Sequence, residues 1–358
     1  MFDAIPPECY EKDTVKSMLY ALCSTAITLG VGYLGTLIPM GWAWAPVWAA
    51  YWVAAGTAAT GMWVVAHECG HGAFSDNKRL QDAVGYALHS VLLVPYFSWQ
   101  RSHAIHHSKT NHTTEGETHV PYQHADAKGA ASYGMKEAIG EAPFAFVNAV
   151  FHLVFGWPMY LLTGATGGSK YGTTNHFVPV KPFSDGLFPT KMWKKKVWLS
   201  DVGVAAAFAG LLWAGHVWGA GRMACLYWMP YLVTNFWLVL YTWLQHTDVD
   251  VPHFGKGEWD WVKGTFMTID RPYGPVLDFL HHRIGSTHVA HHVAHTIPHY
   301  RALKATHALK AAFPDLYLYD PTPLPQALWR VAKNCVAVKP HEDAVHGTKY
   351  VFHSARPE

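Results

Sequence analysis

Residues 42–71 read WAWAPVWAAYWVAAGTAATGMWVVAHECGH. Residues 42–66 carry no charged side chain, and they exceed the roughly 20 apolar residues that a helix needs to cross a bilayer. The run closes on His67, Glu68, Cys69, Gly70 and His71. That is H-E-x-x-H, the zinc-protease pattern of two histidines one helical turn apart with a Glu base between them. A protease signature on the end of a membrane-length helix is an unusual pairing. The rest of the sequence decides between a zinc site and one fragment of a different metal site.

Three further runs have membrane length: 17–38, 197–219 and 223–244. Only residues 39–41 separate the first from the opening stretch, and only 220–222 separate the last two. Two tight helical hairpins are therefore predicted. Lys191, Lys194, Lys195 and Lys196 stand just before the 197–219 run, whereas the short turns carry only Arg222. Positive charge favours the cytosolic side, which places the N-terminus, 67–196 and 245–358 in the cytosol. The first run reads as an anchor, since no charged n-region with a cleavage site precedes it. Two shorter apolar stretches, 83–97 and 143–162, are predicted to lie on the bilayer surface. A single crossing by either would move the Lys cluster to the wrong side. The polar, Pro-containing segment 321–358 is predicted to be a loosely packed cap. The expected fold is an all-α integral membrane domain over 1–358, four transmembrane helices under a cytosolic helical cap.

Composition narrows the function. Half of the residues are apolar, 15% are charged and 17 are Trp, which suits a membrane protein with interfacial aromatics. No basic tract of the kind that nucleic acid attracts is present. The five Cys are scattered without a C-x-x-C pair, against a disulfide framework or a Cys zinc site. The 25 His among 358 residues are the anomaly, and metal ligation is the common reason for clustered His.

Three clusters stand out: His67 and His71; His103, His106 and His107; His288, His291 and His292. On a helix, positions i, i+3 and i+4 share a face, so each cluster aims two or three imidazoles one way. His246 ends the 223–244 run on the same expected side. Nine imidazoles are too many for one catalytic zinc, which takes three protein ligands. They suit two metals with four or five ligands each, and imidazole fits iron, zinc, copper or nickel. The protease reading fares worse. A metzincin continuation needs Gly and His where Phe74 and Asn77 stand, and 88–110 contains no Glu to act as a third ligand. An intramembrane protease using Asp278 would leave two clusters unexplained.

With these residues in hand, the chain resembles the membrane fatty acid desaturases of the methyl-end, Δ12/ω-3 group. The likeness rests on WVVAHECGHGAFS (63–75), VPYFSWQRSHAIHHSKTNHT (94–113), LVLYTWLQHTD (238–248) and GSTHVAHHVAHTIPHY (285–300). VPHFGKGEWDWVKGTFMTIDRPYG (251–274), LYDPTPLPQALWRVAKNC (318–335) and AIPPECYEKD (4–13) extend it over almost the whole chain. The resemblance implies a di-iron centre, two Fe ions held by His67, His71, His103, His106, His107, His288, His291 and His292, with His246 completing it and His282 as its competitor. It implies O2 as co-substrate and a fatty acyl lipid as substrate. No HPGG-like haem motif accompanies it, and His288 stands where front-end relatives often carry Gln. Electrons are therefore expected from a separate donor, cytochrome b5 or ferredoxin.

The expected reaction is Δ12 desaturation, oleoyl to linoleoyl. The alternatives are ω-3 or bifunctional Δ12/ω-3 action, or a hydroxylase or conjugase using the same site. The endoplasmic reticulum is the expected membrane, a plastid membrane if an N-terminal segment is missing. Glu68, Asp82, Glu115, Asp248 and Asp270 are candidates to orient the imidazoles, with Glu68 and Asp248 foremost. Trp63, Tyr96, Trp99, Trp237 and Tyr241 are candidates for an acyl-tunnel wall. His112 and His295 are further candidates near the boxes. His89, His152, His216, His253 and His299 read as lone structural residues.

Overall fold

The computed structural model describes residues 1–183, 186–342 and 348–352. The chain opens with α1 (Thr14–Thr36) and α2 (Ala45–His71), then α3 (Lys78–Val91) and α4 (Tyr96–Ser108). Next come α5 (Ala127–Ile139), α6 (Glu141–Thr163), α7 (Lys191–Trp218), α8 (Ala220–Met223) and α9 (Met229–His246), the last two joined by a π-helical turn at Ala224–Trp228. Strand β1 (His253–Phe254) leads to α10 (Trp261–Phe266), α11 (Pro275–Leu280), α12 (His288–Val293), α13 (His299–Ala312) and α14 (Leu324–Asn334), followed by β2 (Val338–His341) and β3 (Lys349–Phe352).

The helix limits follow local chemistry. Asp13 caps α1 by accepting from the Lys16 N–H at 2.9 Å, and Asn77 caps α3 by accepting from the Arg79 and Leu80 N–H groups. Such caps satisfy donors that the first turn leaves without partners. Gly72, left-handed at φ 76°, ends α2 directly after His71, a position where a Cβ would be strained.

Among the described residues, five helical stretches are long and apolar enough to cross a membrane: Thr14–Thr36, Trp42–His71, Glu141–Thr163, Lys191–Trp218 and Ala220–His246. Four are the predicted runs and the fifth is α6. The two hairpins meet where α2 packs on α9. A Cβ on Gly56 would fall 2.5 Å from the Pro230 carbonyl oxygen, so only glycine allows this approach. Thr234 Oγ1 donates to the Gly56 carbonyl and Trp237 Nε1 to Thr57 Oγ1 across the same seam. Trp237 therefore joins α9 to α2.

The stretch 83–97 does not form one helix. It is divided between α3 and α4, which break at Leu92–Pro95 and run antiparallel between α2 and α7. Tyr86 OH donates to the Leu199 carbonyl, and the Phe97 N–H donates to Ser200 Oγ. The Val91 carbonyl accepts from Tyr227 OH, in the π turn at the end of the last long helix remote from His246. The pair thus packs against α2 and α7, and α4 brings its histidines beside those of α2.

Two further expectations change. The fold is mostly helical rather than all-α, since β1, β3 and β2 form a small antiparallel sheet in that order. The tail is not loose where it is described. Helix α14 buries Ala327, Val331 and Ala332 completely, and its Arg330 pairs with Asp248 and Asp320. Arg271 has no exposed side-chain surface and reaches Asp248, Asp320 and the Leu244 carbonyl. This ion network straps the tail onto the end of α9.

Candidate metal centre

Four elements deliver the nine histidines. Helix α2 carries His67 and His71 on its last turn, α4 carries His103, His106 and His107, α9 ends on His246, and α12 carries His288, His291 and His292. All nine converge. In the first group, His67, His71, His103, His107 and His291 place one ring nitrogen each within 4.8 Å of all the others. His106, His246 and His292 form a second group on the same criterion. His288 joins the second group, its Nε2 3.0 Å from His246 Nε2. The groups adjoin, for the His107 and His292 rings stack at 4.1 Å. The His-rich site expected beneath the bundle is present.

The nitrogens fit a cation and do not fit one another. His67 Nε2 lies 3.0 Å from His103 Nε2 and 3.2 Å from His71 Nε2, and His103 Nε2 is also 3.2 Å from His107 Nε2. An imidazole nitrogen has one proton or one lone pair, so it satisfies one neighbour and not two. His246 Nε2 stands in the same position between His106 and His288. Lone pairs converging on a shared point are what a metal ion takes. Burial, reinforced by neighbouring histidines, pushes the imidazolium of His103, His107, His288, His291 and His292 well below its ordinary range. It puts His106 at about 3. The neutral rings keep the lone pairs that a metal needs. All-nitrogen donor sets of four and five suit iron.

The packing around the rings explains their order. Trp99, one turn before His103 on α4, stacks on that ring at 4.6 Å and leans against His67 at 5.5 Å. Gly70 makes this possible, because a Cβ there would lie 2.6 Å from the Trp99 ring. Trp63 stacks on His67 at 5.6 Å and packs edge-on against Trp99 at 5.3 Å. Trp63 and Trp99 thus brace the imidazoles, whereas Tyr96 sits in the α3–α4 hairpin bonded to Asp82.

Of the carboxylates proposed to orient the site, two meet elements that carry it. Glu68 Oε2 accepts from the His299 N–H at 2.9 Å, and its Oε1 lies 3.6 Å from His67 Nδ1, beyond hydrogen-bond length. His299, read as a lone structural residue, is therefore tied to the site through Glu68. Asp270 Oδ1 accepts from the Val289 N–H at 2.9 Å and fixes the first turn of α12. The other three point elsewhere. Asp82 accepts from Tyr96 OH and Gln100, Glu115 pairs with Lys109 and Lys170, and Asp248 pairs with Arg271 and Arg330. At Asp248, pairing with two arginines distant in sequence outweighs its nearness to His246.

His282 does not compete with His246. Its Nε2 lies 2.9 Å from Ser24 Oγ on α1. His112 accepts from the Thr114 and Glu115 N–H groups and organises its own loop. His295 does approach, its ring 5.1 Å from His71 and 5.4 Å from His107. One neighbour escapes sequence reasoning altogether. His119 stacks on His246 at 5.0 Å with rings 16° from parallel, on a left-handed backbone at φ 56°. A lone loop histidine carries no periodic signal. The left-handed backbone, strained for a residue with a Cβ, is visible only in the fold.

Beside the centre lies a buried polar chain. His176 Nε2 is 2.9 Å from Ser102 Oγ, which is 2.8 Å from Tyr160 OH, which donates to Glu117 Oε2 at 3.2 Å. Burial pushes the Glu117 carboxyl up to about 8, with the Tyr160 bond opposing. The folded protein then holds a proton that the unfolded chain releases above its ordinary 4.5. Stability is therefore expected to fall as pH rises from 4.5 through 8. Glu117→Gln should flatten that loss. Thermal inactivation midpoints at pH 6 and pH 9 check it, and an equal fall in both proteins would contradict it.

The similarity of this chain to known proteins covers the same residues. A profile of the fatty acid desaturase family matches residues 42–322. The Delta(12)-fatty-acid desaturase of Arabidopsis thaliana is 39% identical over 344 residues, covering 95% of this chain and 87% of that one. The omega-6 fatty acid desaturase, endoplasmic reticulum isozyme 2, of Glycine max is also 39% identical, over 95% and 86% of the two chains. The Delta(12)-acyl-lipid-desaturase of Punica granatum is 38% identical over 98% and 88%. Every converging histidine falls inside the matched region, so likeness and geometry describe one site: this chain belongs to the fatty acid desaturase family and is an oxidoreductase.

Proposed function

We propose that the protein introduces a cis double bond at the Δ12 position of oleoyl chains in lipids of the endoplasmic reticulum membrane. The observation that carries this reading is the pair of adjoining groups of converging imidazole nitrogens. His67, His71, His103, His107 and His291 would hold one iron, and His106, His246, His288 and His292 the other. The bound pair supplies the oxidising power that an unactivated C–H bond requires and that no side chain provides. The overall change takes two hydrogens from adjacent methylenes and, with O2, two electrons and two protons, yields the alkene and two waters. A separate donor, cytochrome b5 or ferredoxin, delivers the electrons. The chain's own part is to fix the rings. Trp63 and Trp99 brace them on one side, Glu68 and Asp270 hold α13 and α12 against them, and burial keeps water out. The names of the relatives support the Δ12 position, and those of three support the endoplasmic reticulum.

Four of the five long apolar helices would cross the membrane, and α6 would lie along its cytosolic surface. Both ends of α6 support this. Asn148 donates to the Ala332 carbonyl and Glu141 pairs with Lys333, both on α14, while Tyr160 bonds Ser102 beside the histidines. A crossing helix would leave one end remote from the cap.

Oleate and linoleate, fed separately to a host expressing the protein, test the reading. Linoleate formed from oleate is the expected product. Conversion of linoleate alone, or a hydroxy acid without a new double bond, would overturn it.

A further inference from the structure

Two adjacent residues with positive φ, His282 at 53° and Arg283 at 61°, follow α11. Such backbone is rare outside glycine and points to a constraint. The turn lodges His281 and His282 inside the helix bundle. The Leu280 carbonyl oxygen packs so closely on Gly61 that a Cβ would meet it at 2.3 Å. His281 bridges the Thr57 carbonyl on α2 and Tyr241 OH on α9, each at 2.8 Å. His282 reaches Ser24 on α1 at 2.9 Å and lies against the rings of Tyr20 and His299.

Spaces lie on both sides of His282. One, of about 310 Å³, is lined mainly by apolar side chains of α1, α2 and α11, including Leu19, Cys23, Ile27, Ala58 and Phe279, with Lys16 at its edge. It opens onto a face where Leu19 and Phe279 are each 61% exposed and Val276 is 67% exposed, the apolar surface that a bilayer covers. Lys16 stands on the first turn of α1, at the cap end of that face, and its Nζ lies over the Tyr300 ring at 4.5 Å. The other space holds only about 10 Å³ and runs past Ile284, Ile297 and Ala302 to His291 of the metal centre. His282 lines both.

We propose that the larger space is a lateral portal for a membrane phospholipid, its acyl chain passing between α1 and α11 with the headgroup phosphate on Lys16, and that the His282–Ser24 contact is the gate to the metal centre. The argument rests on the desaturase reading for its destination. An apolar channel opening into the bilayer takes a chain that is already there. A single Lys at the level where α1 leaves the apolar face matches one phosphate. Rotation of the His282 ring away from Ser24 would join the spaces without moving a helix.

Photocrosslinking tests the path without requiring turnover. The iron-loaded protein is placed in dioleoylphosphatidylcholine vesicles with a phosphatidylcholine carrying a diazirine midway along one acyl chain. The buried segment 284–302 is expected to be labelled. Cys23→Trp, which fills the portal from its lipid side, should lower that labelling at least tenfold. Lys16→Glu should lower it severalfold, while Leu29→Trp, on the outward face of α1, should leave it unchanged. The same chain supplied as its CoA ester should label less than a tenth as well. Equal labelling in Cys23→Trp and the parent protein, or stronger labelling by the CoA ester, overturns the proposal. Iron content equal to the parent's excludes misfolding of a variant, and Lys16→Glu, at an exposed site, reads the portal independently of Cys23→Trp. Labelling as expected with no double bond formed would leave the portal standing and remove the proposed function instead.

Discussion

Replacing His291 with Ala is expected to lower product formation by at least about a thousandfold, about 4 kcal/mol of barrier. His291 closes the first group, its ring 4.7 Å from those of His67 and His71 and 4.6 Å from that of His107. Without it, four nitrogens face a space shaped for five donors. The loss should be accompanied by loss of bound metal, because the affinity lies in the ligand set. A graded comparison separates this from general damage. Glu68→Gln removes a carboxylate that holds His299 and approaches His67 without touching the converging nitrogens, and orienting groups of this kind are worth about 10–100-fold. A protease base at Glu68 would instead be indispensable. His216, exposed on α7, should tolerate Ala with little change, as surface substitutions usually do. Rates of linoleate formation at equal protein level measure all three. Activity retained in His291→Ala would refute the grouping.

The second large effect is on stability. Arg271→Met keeps the length of a side chain with no exposed surface and removes its charge. The Leu244 carbonyl then loses its donor, and Asp248 and Asp320 keep Arg330 as the charged partner they share. Breaking a buried ion network in this way costs roughly 3–5 kcal/mol. Only Thr247 separates His246 from Asp248, so loosening the strap also frees the end of α9 that carries the imidazole. The midpoint of thermal inactivation in detergent should fall by several degrees, and Arg271→Lys should recover only part, since one ammonium cannot reach three acceptors in fixed directions. An unchanged midpoint would show the strap to be dispensable.

The histidine clusters were legible because their spacing is local: i, i+3 and i+4 on one helical face survive any tertiary arrangement. The four long runs were legible because the bilayer sets their length. Partners chosen across the fold were not. Asp248 lies beside His246 in sequence yet turns to two arginines, and His282 sits near the third box yet bonds α1. His119 reaches His246 only through a left-handed loop residue. The apolar pattern of 83–97 does not show the break at Leu92–Pro95, and only the Tyr86, Phe97 and Tyr227 hydrogen bonds show how the two halves pack against the long helices. The sheet escaped notice because β1 is two residues long and pairs with a strand near the other end of the tail.

The metal content of the purified, active protein tests the central claim most directly. Two irons per chain are expected, falling together with activity when a chelator is applied and returning with ferrous iron. One tightly held zinc per chain without iron would contradict the account.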